Sequence, residues 1–169
     1  QPDAQPGDFR YQDLDGDGSI TAEGDRANLG KCVPSWTYGI NASIDWKGID
    51  FSMVWQGVAG NKIFDATRRT DIPTMNQPKY VLNRWTGEGS TNDYPRFTVT
   101  DPNQNWSKAS DFFIKDASYF RLKNVILGYT LPASLTKKVF VNKLRVFVAC
   151  ENALTFTKYD GFDPEVASY

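Results

Sequence analysis

Asp13, Asp15 and Asp17 stand at alternate positions near the start of this 169-residue chain. With Gly18 and Ile20 they read D-x-D-x-D-G-x-I, the first eight positions of a calcium loop. Carboxylates at every second residue can converge on one hard cation, the glycine permits a sharp turn, and the backbone carbonyl of Ser19 can add an oxygen. Such loops close with an acidic residue at the twelfth position, where this chain has Gly24, flanked by Glu23 and Asp25. The loop is thus one residue too long, and Asp25 or Glu23 is the expected last ligand for a calcium (or magnesium) ion. The expected role is structural, pinning a loop; the bland alternative is a solvated acidic turn.

Little else in the chain is equipped for catalysis. Histidine is absent, which removes every histidine-based dyad, triad and metal site. A glycoside hydrolase needs two positioned carboxylates, and nothing in the spacing pairs Asp111, Asp116 or Asp163. No enzyme is expected. Cys32 and Cys150 are far apart and match no CxxC pattern, so each is expected as a small buried or lipid-facing residue rather than half a disulfide. A formal net charge of −1 argues against attraction to nucleic acid.

The elements that must position these residues are strands. Residues 1–35 are polar and rich in Gly and Asp, forming a loop around the acidic run. Over residues 36–56 the chain alternates strictly. Trp36, Tyr38, Ile40, Ala42, Ile44 and Trp46 fall on one face and polar residues on the other. Lys47-Gly48 turns the chain, and Ile49, Phe51, Met53 and Trp55 form the apolar face of a return strand, with Val54 out of pattern. A period of two identifies strands. Residues 57–116 form a long polar stretch, read as a large ordered loop with short helical turns.

A second hairpin is predicted over residues 117–157. Val125, Leu127, Tyr129 and Leu131 share one parity, whereas Phe120 and Leu122 sit on the other, a phase slip that predicts a bulge near Lys123-Asn124. After a connection over Pro132–Asn142, Leu144, Val146, Val148 and Cys150 alternate, and Leu154 and Phe156 resume beyond Asn152. A polar tail, residues 158–169, follows. The class is all-β.

A soluble calcium-binding β-sandwich that binds carbohydrate or protein would show the same alternation. Three features point instead to transmembrane barrel strands. The strands approach the roughly 9–11 residues needed to cross a bilayer at a tilt. Short turns alternate with a long connection, and Trp36, Trp46 and Trp55 sit at strand ends on the apolar parity. The mean hydropathy of −0.49 is compatible with this, because alternating strands average out. Open strand edges are not tolerated in lipid, so such strands are expected to belong to a larger barrel. The first residues, Gln1-Pro2-Asp3, show neither a basic nor an apolar segment of an export signal. An exported protein would carry its signal outside them.

Several segments together resemble the SusC/RagA family of TonB-dependent outer-membrane transporters. They are Gly7–Gly18, Pro34–Gly39, Phe51–Gly60, Asn83–Thr86 and Tyr94–Arg96. The most specific are Ala117–Pro132 (ASYFRLKNVILGYTLP) and Asn152–Glu165 (NALTFTKYDGFDPE). The likeness implies the C-terminal part of an antiparallel barrel of about 22 strands with an N-terminal plug. It implies import of oligosaccharides or peptides, capture with a SusD-like surface lipoprotein, and energy supplied by TonB through segments beyond these residues. On that topology Lys47-Gly48 and Pro132–Asn142 face the periplasm. The acidic loop, residues 57–116 and residues 158–169 face outward. Trp85, Tyr94 and Trp106 become candidates to stack on a ligand, against the alternative that they pack the loop's own core.

Overall fold

The computed structural model describes residues 1, 4–66 and 76–165. Residues 67–75 of the expected long loop and 166–169 of the expected tail lie outside the described residues. The chain divides into two compact units, one comprising Gln1–Leu29 and Phe64–Ile114, the other Gly30–Ile63 and Lys115–Tyr169.

The second unit is a four-stranded antiparallel sheet whose strands, in order across it, are the first, second, fifth and sixth of the chain. Its strands are β1 (Trp36–Trp46), β2 (Ile49–Ala59), β5 (Tyr119–Thr130) and β6 (Arg145–Thr157). A short separate ribbon pairs β3 (Lys62–Phe64) with β4 (Ile114–Asp116), where the chain passes between the units. The β1–β2 register runs from Trp36 opposite Ala59 to Trp46 opposite Ile49 around the Lys47-Gly48 turn. β2 therefore extends three residues past the expected end at Gln56. Gly57 and Ala59 weaken the apolar pattern there, but the Tyr38 ring covers Gly57 where a Cβ would otherwise stand.

The predicted bulge is present. Val54 faces Asn124 while Trp55 faces Leu122, leaving Lys123 unmatched on β5. The β5–β6 register slips at the same place, between Leu122/Leu154 and Asn124/Glu151. One extra residue switches parity, which is why Phe120 and Leu122 share a face with Leu127 and Tyr129. The β5–β6 connection is not plain loop: it holds a short helix α1 (Ala133–Thr136) and a 3-10 turn (Lys137–Val139).

One face of the sheet is apolar and bare. Ile40 on β1, Leu127 on β5 and Val146 and Val148 on β6 are all exposed, Val148 at 72%. Tyr38, Phe120, Trp55 and Phe156 line up there as stacked rings, with Trp55 and Phe120 centroids 4.7 Å apart. Among the described residues no second sheet covers this face, and no strand pairs with the outer edges of β1 or β6. No helix among the described residues is long and apolar enough to cross a membrane. Cys32 and Cys150 are both free and exposed.

The first unit has a core of rings rather than of secondary structure. Trp106 is 0% exposed and packs with Tyr80, Phe97 and Phe112. Short 3-10 turns at Lys79–Asn83 and Asp111–Phe113 supply Val81 and Phe113 to it. Without strands to absorb backbone polarity, polar side chains do so. Trp106 Nε1–H donates to the Arg96 carbonyl at 2.9 Å, and buried Asn105 accepts from the Phe9 N–H at 2.9 Å.

Candidate metal loop and its neighbours

The acidic loop is held by its own carboxylates. Asp13 accepts from the N–H groups of Gly16 (2.6 Å) and Gly18 (2.8 Å), and Asp15 and Asp17 each accept from the N–H two residues on. Gly18 sits at φ 85°, a left-handed conformation that glycine adopts without cost. The result brings one oxygen from each of Asp13, Asp15 and Asp17 within 4.8 Å of one another, so the loop presents three carboxylates to one point. That donor set suits a hard cation.

Asp25 has a different task. Its two oxygens accept from the Leu14 and Thr21 N–H groups, both at 2.6 Å, tying the loop's second residue to its ninth. These two hydrogen bonds hold its carboxyl below the usual range. Asp25 is not one of the three converging carboxylates; it closes the loop from outside. Glu23 is exposed and not in the cluster either. The extra residue, Gly24, leaves room for the Asp15 carboxylate, which occupies the space a side chain there would take.

Of the three aromatic candidates, Trp106 offers no ring face, being enclosed in the core just described. Trp85 is half-buried; its ring lies against Gly7 and its backbone N–H donates to the Tyr94 carbonyl at 3.1 Å. Tyr94 is half-buried, stacks on Tyr80 at 5.8 Å, and borders an open groove lined by Arg84, Thr86, Ser90 and Asp93. Tyr94 and Trp106 share Tyr80 and Phe112 as ring neighbours, and Trp85 is tied to Tyr94 through the backbone.

Three charged constellations were invisible to sequence reasoning. In the first unit, Arg96 donates to both oxygens of Asp8, at 2.5 and 3.0 Å, and Asn105 donates to the same carboxylate at 2.7 Å. Burial alone would raise the Asp8 carboxyl, but these donors and the Gln5 N–H outweigh it and hold it below its ordinary value. Nearby, Tyr11 is pushed up to about 12 by burial and by Asp101 and Asp8, and Lys108 lies over its ring at 4.5 Å.

In the sheet unit, Arg121 donates to Asp163 (2.6 Å), to Glu165 (2.6 Å) and to Thr155 Oγ1 (2.9 Å). Lys123, at the bulge, reaches both oxygens of Glu165 at 2.5 and 2.6 Å. The bulge turns Lys123 toward the same carboxylate as Arg121. Asp163 is held low by Arg121. Finally, Asp50 on β2 pairs with Arg145 on β6. Partners 42 to 95 residues apart leave no spacing signal; only the nearness of Asp50 and Arg145 across β5, diagonal over Gly128, was latent in the strand register.

No family model matches the chain. It is 33% identical over 164 residues to TonB-dependent receptor P3 of Formosa agariphila, covering 96% of this chain and 16% of that protein. TonB-dependent receptor P26 of the same organism is 30% identical, with the same coverage on each side. TonB-dependent receptor SusC of Bacteroides thetaiotaomicron is 23% identical, covering 97% of this chain and 16% of SusC. Among solved structures, the RagAB peptide transporter superposes with a TM-score of 0.67 at 29% identity, covering 86% of this chain and 16% of that one. The RagAB peptide importer in its open-open state gives 0.65 at 26%, with the same coverage. The chain thus spans about 16% of the length of the curated relatives it matches. These relatives are, by name, receptors, importers and transporters. The paired matches in sequence and in fold, each across most of these residues, show the chain to be similar to part of the SusC/RagA-type TonB-dependent receptors.

Proposed function

We propose that this chain is a wall segment of an outer-membrane barrel through which a TonB-dependent receptor imports nutrients. The observation that carries the reading is the bare apolar face of a sheet whose strands run 11 to 13 residues, against the roughly 9–11 that span a bilayer. An apolar face on a sheet with open edges suits a wall continued by further strands and bathed in lipid. A secreted β-sandwich would need a second sheet over that face. Since the solved relatives are a peptide importer and transporter, peptides are the nearer ligand class and oligosaccharides the second. The partners on this reading are a SusD-like surface lipoprotein and TonB.

Asp13, Asp15 and Asp17, with the Ser19 carbonyl, then take a calcium (or magnesium) ion that stiffens an outward loop, while Asp25 holds that loop closed. Tyr94, on its groove, and Trp85 are the aromatic residues left with surface to offer a ligand.

The test uses the complete receptor in outer-membrane fractions. Ile40→Lys and Val148→Lys should each block heat-modifiable barrel assembly, by about 2–4 kcal/mol at mid-membrane depth. Ser43→Lys, on the opposite face, should assemble. Equal tolerance of all three would sink the barrel reading. Growth of a receptor-deleted strain on peptides as sole nitrogen source, undiminished relative to wild type, would sink the import reading.

A further inference from the structure

The turn end of the sheet carries a feature that lipid-facing strands do not require. The β5–β6 connection between Leu131 and Leu144 contains Lys137, Lys138 and Lys143 and no acidic residue. None of these lysines takes part in an ion pair given by the described residues. Beside them Phe140 is 98% exposed, and Leu135 is 53% exposed.

Phe140 is held there by backbone geometry. It lies at φ 59°, the left-handed region that a bulky side chain rarely enters. Its N–H donates to the Lys137 carbonyl at 3.2 Å, and the next N–H, of Val141, donates to Thr136 at 3.1 Å. Two further bonds onto the Pro132 carbonyl, from Leu135 and Thr136, fix the start of the connection. An unfavourable conformation secured on both sides marks a built feature and prompts a functional question.

The neighbouring turn repeats the chemistry. Thr130 N–H donates to the Gly48 carbonyl at 2.7 Å, so both turns lie at the same end of the sheet. There Trp46 is 62% exposed, with Lys47 Nζ 4.9 Å from its ring. Two acidic groups, Asp45 and Asp50, face each other near this end on the polar face; Asp50 is paired with Arg145 and also feels the charge of Lys143. Exposed rings beside unpaired lysines, continuous with a bare apolar face, complement a bilayer interface whose headgroups carry negative charge.

We propose that the β5–β6 connection is an interfacial anchor, with Phe140 and Leu135 entering the headgroup–acyl boundary and Lys137, Lys138 and Lys143 binding phospholipid phosphates. It rests on the barrel reading. The anchor fixes the depth at which this part of the wall sits, and its strength depends on the anionic lipid fraction.

The complete receptor, with Cys32→Ser and Cys150→Ser and one spin label at a time, tests this in vesicles of zwitterionic lipid with or without a phosphatidylglycerol fraction. Power saturation with oxygen and a water-soluble nickel chelate reports depth. A label at Phe140→Cys should be more accessible to oxygen than to nickel, and should shift deeper when phosphatidylglycerol is present. Replacing the three lysines with Gln should remove that shift. A control label at Val148→Cys tests the lipid face itself. Nickel-accessible label at 140 with lipid-buried label at 148 overturns the anchor alone. A label at 140 shielded from both reagents points to a protein partner and overturns it too. A label at 148 that is not in lipid overturns the barrel reading beneath it. Phe140→Gly, whose backbone suits φ 59°, should fold and lose the aromatic insertion, reading out as slower association of the receptor with phosphatidylglycerol vesicles.

Discussion

Asp50 on β2 and Arg145 on β6 join hands over the strand between them. Arg145 Nε donates to Asp50 Oδ1 at 2.9 Å, and Nη2 makes the second bond of a bidentate pair. The pair is possible because Gly128 of β5, opposite Asp50 and diagonal to Arg145 (which faces Thr130), puts no side chain between them. A Cβ there would stand 2.5 Å from Asp50 Oδ2 and 2.6 Å from Arg145 Nη2. Two next-nearest strands are thereby tied on the polar face, at the end of the sheet where the turns lie.

Gly128→Ala in the complete receptor should therefore destabilise by about 1–3 kcal/mol through overpacking. Arg145→Ala, which removes an exposed pair, should cost less, and combining the two should recover part of the alanine's cost. The denaturant midpoint of the reconstituted receptor reads all three. Strict additivity would mean that the contact over Gly128 does not exist in the folded wall.

Asp25 and the three converging aspartates should separate experimentally. Asp15→Asn with Asp17→Asn should abolish calcium binding by calorimetry while leaving the loop closed by Asp25. Asp25→Asn should loosen the loop even without metal, seen as faster proteolysis near Thr21. Calcium binding that survives the double substitution rules out the carboxylate cluster as the site.

Trp106 is the keystone of the first unit. Trp106→Ala should cost about 3–5 kcal/mol and expose residues 76–114 to limited proteolysis. Trp106→Phe keeps the ring but leaves the Arg96 carbonyl without its donor, a cost of about 1–3 kcal/mol. If instead Trp106→Ala spared the fold and only weakened ligand binding, the ring would belong to a ligand site.

The Asp8–Arg96 pair sets an acid limit. Because the Asp8 carboxyl is lowered in the folded unit, the stability it adds is fully present above its unfolded value of about 3.9. It fades as pH falls through the lower folded value. Hydrogen exchange of residues around Asn105 should accelerate below about pH 4. Asp8→Asn should give that faster exchange already at neutral pH. An Asp8→Asn protein with an unchanged profile would show that the pair does not hold this unit.

Arg121 is 7% exposed in its side chain and answers two carboxylates. Arg121→Met should destabilise the receptor by about 2 kcal/mol, below the usual range for breaking a buried pair because Asp163 and Glu165 are partly solvated. Lys123→Met, at a more exposed site, should cost less. Proteolysis at Phe162, which is 94% exposed, should quicken in the first variant. Equal effects would mean that burial of Arg121 does not matter.

The sequence alone determined the strands, their faces, the Lys47-Gly48 turn and the bulge at Lys123, because a period of two and its interruption are local properties of the chain. It also determined which carboxylates could converge, since Asp13, Asp15 and Asp17 lie within one turn. Tertiary structure decided what distance along the chain concealed. It placed Trp106 in a core rather than on a ligand, turned Asp25 inward to backbone N–H groups, and joined Asp8 to Arg96, Arg121 to Glu165 and Asp50 to Arg145. Those outcomes depend on which strands neighbour which and on how a loop buries its polar groups, and both are settled only when distant segments must share the same space.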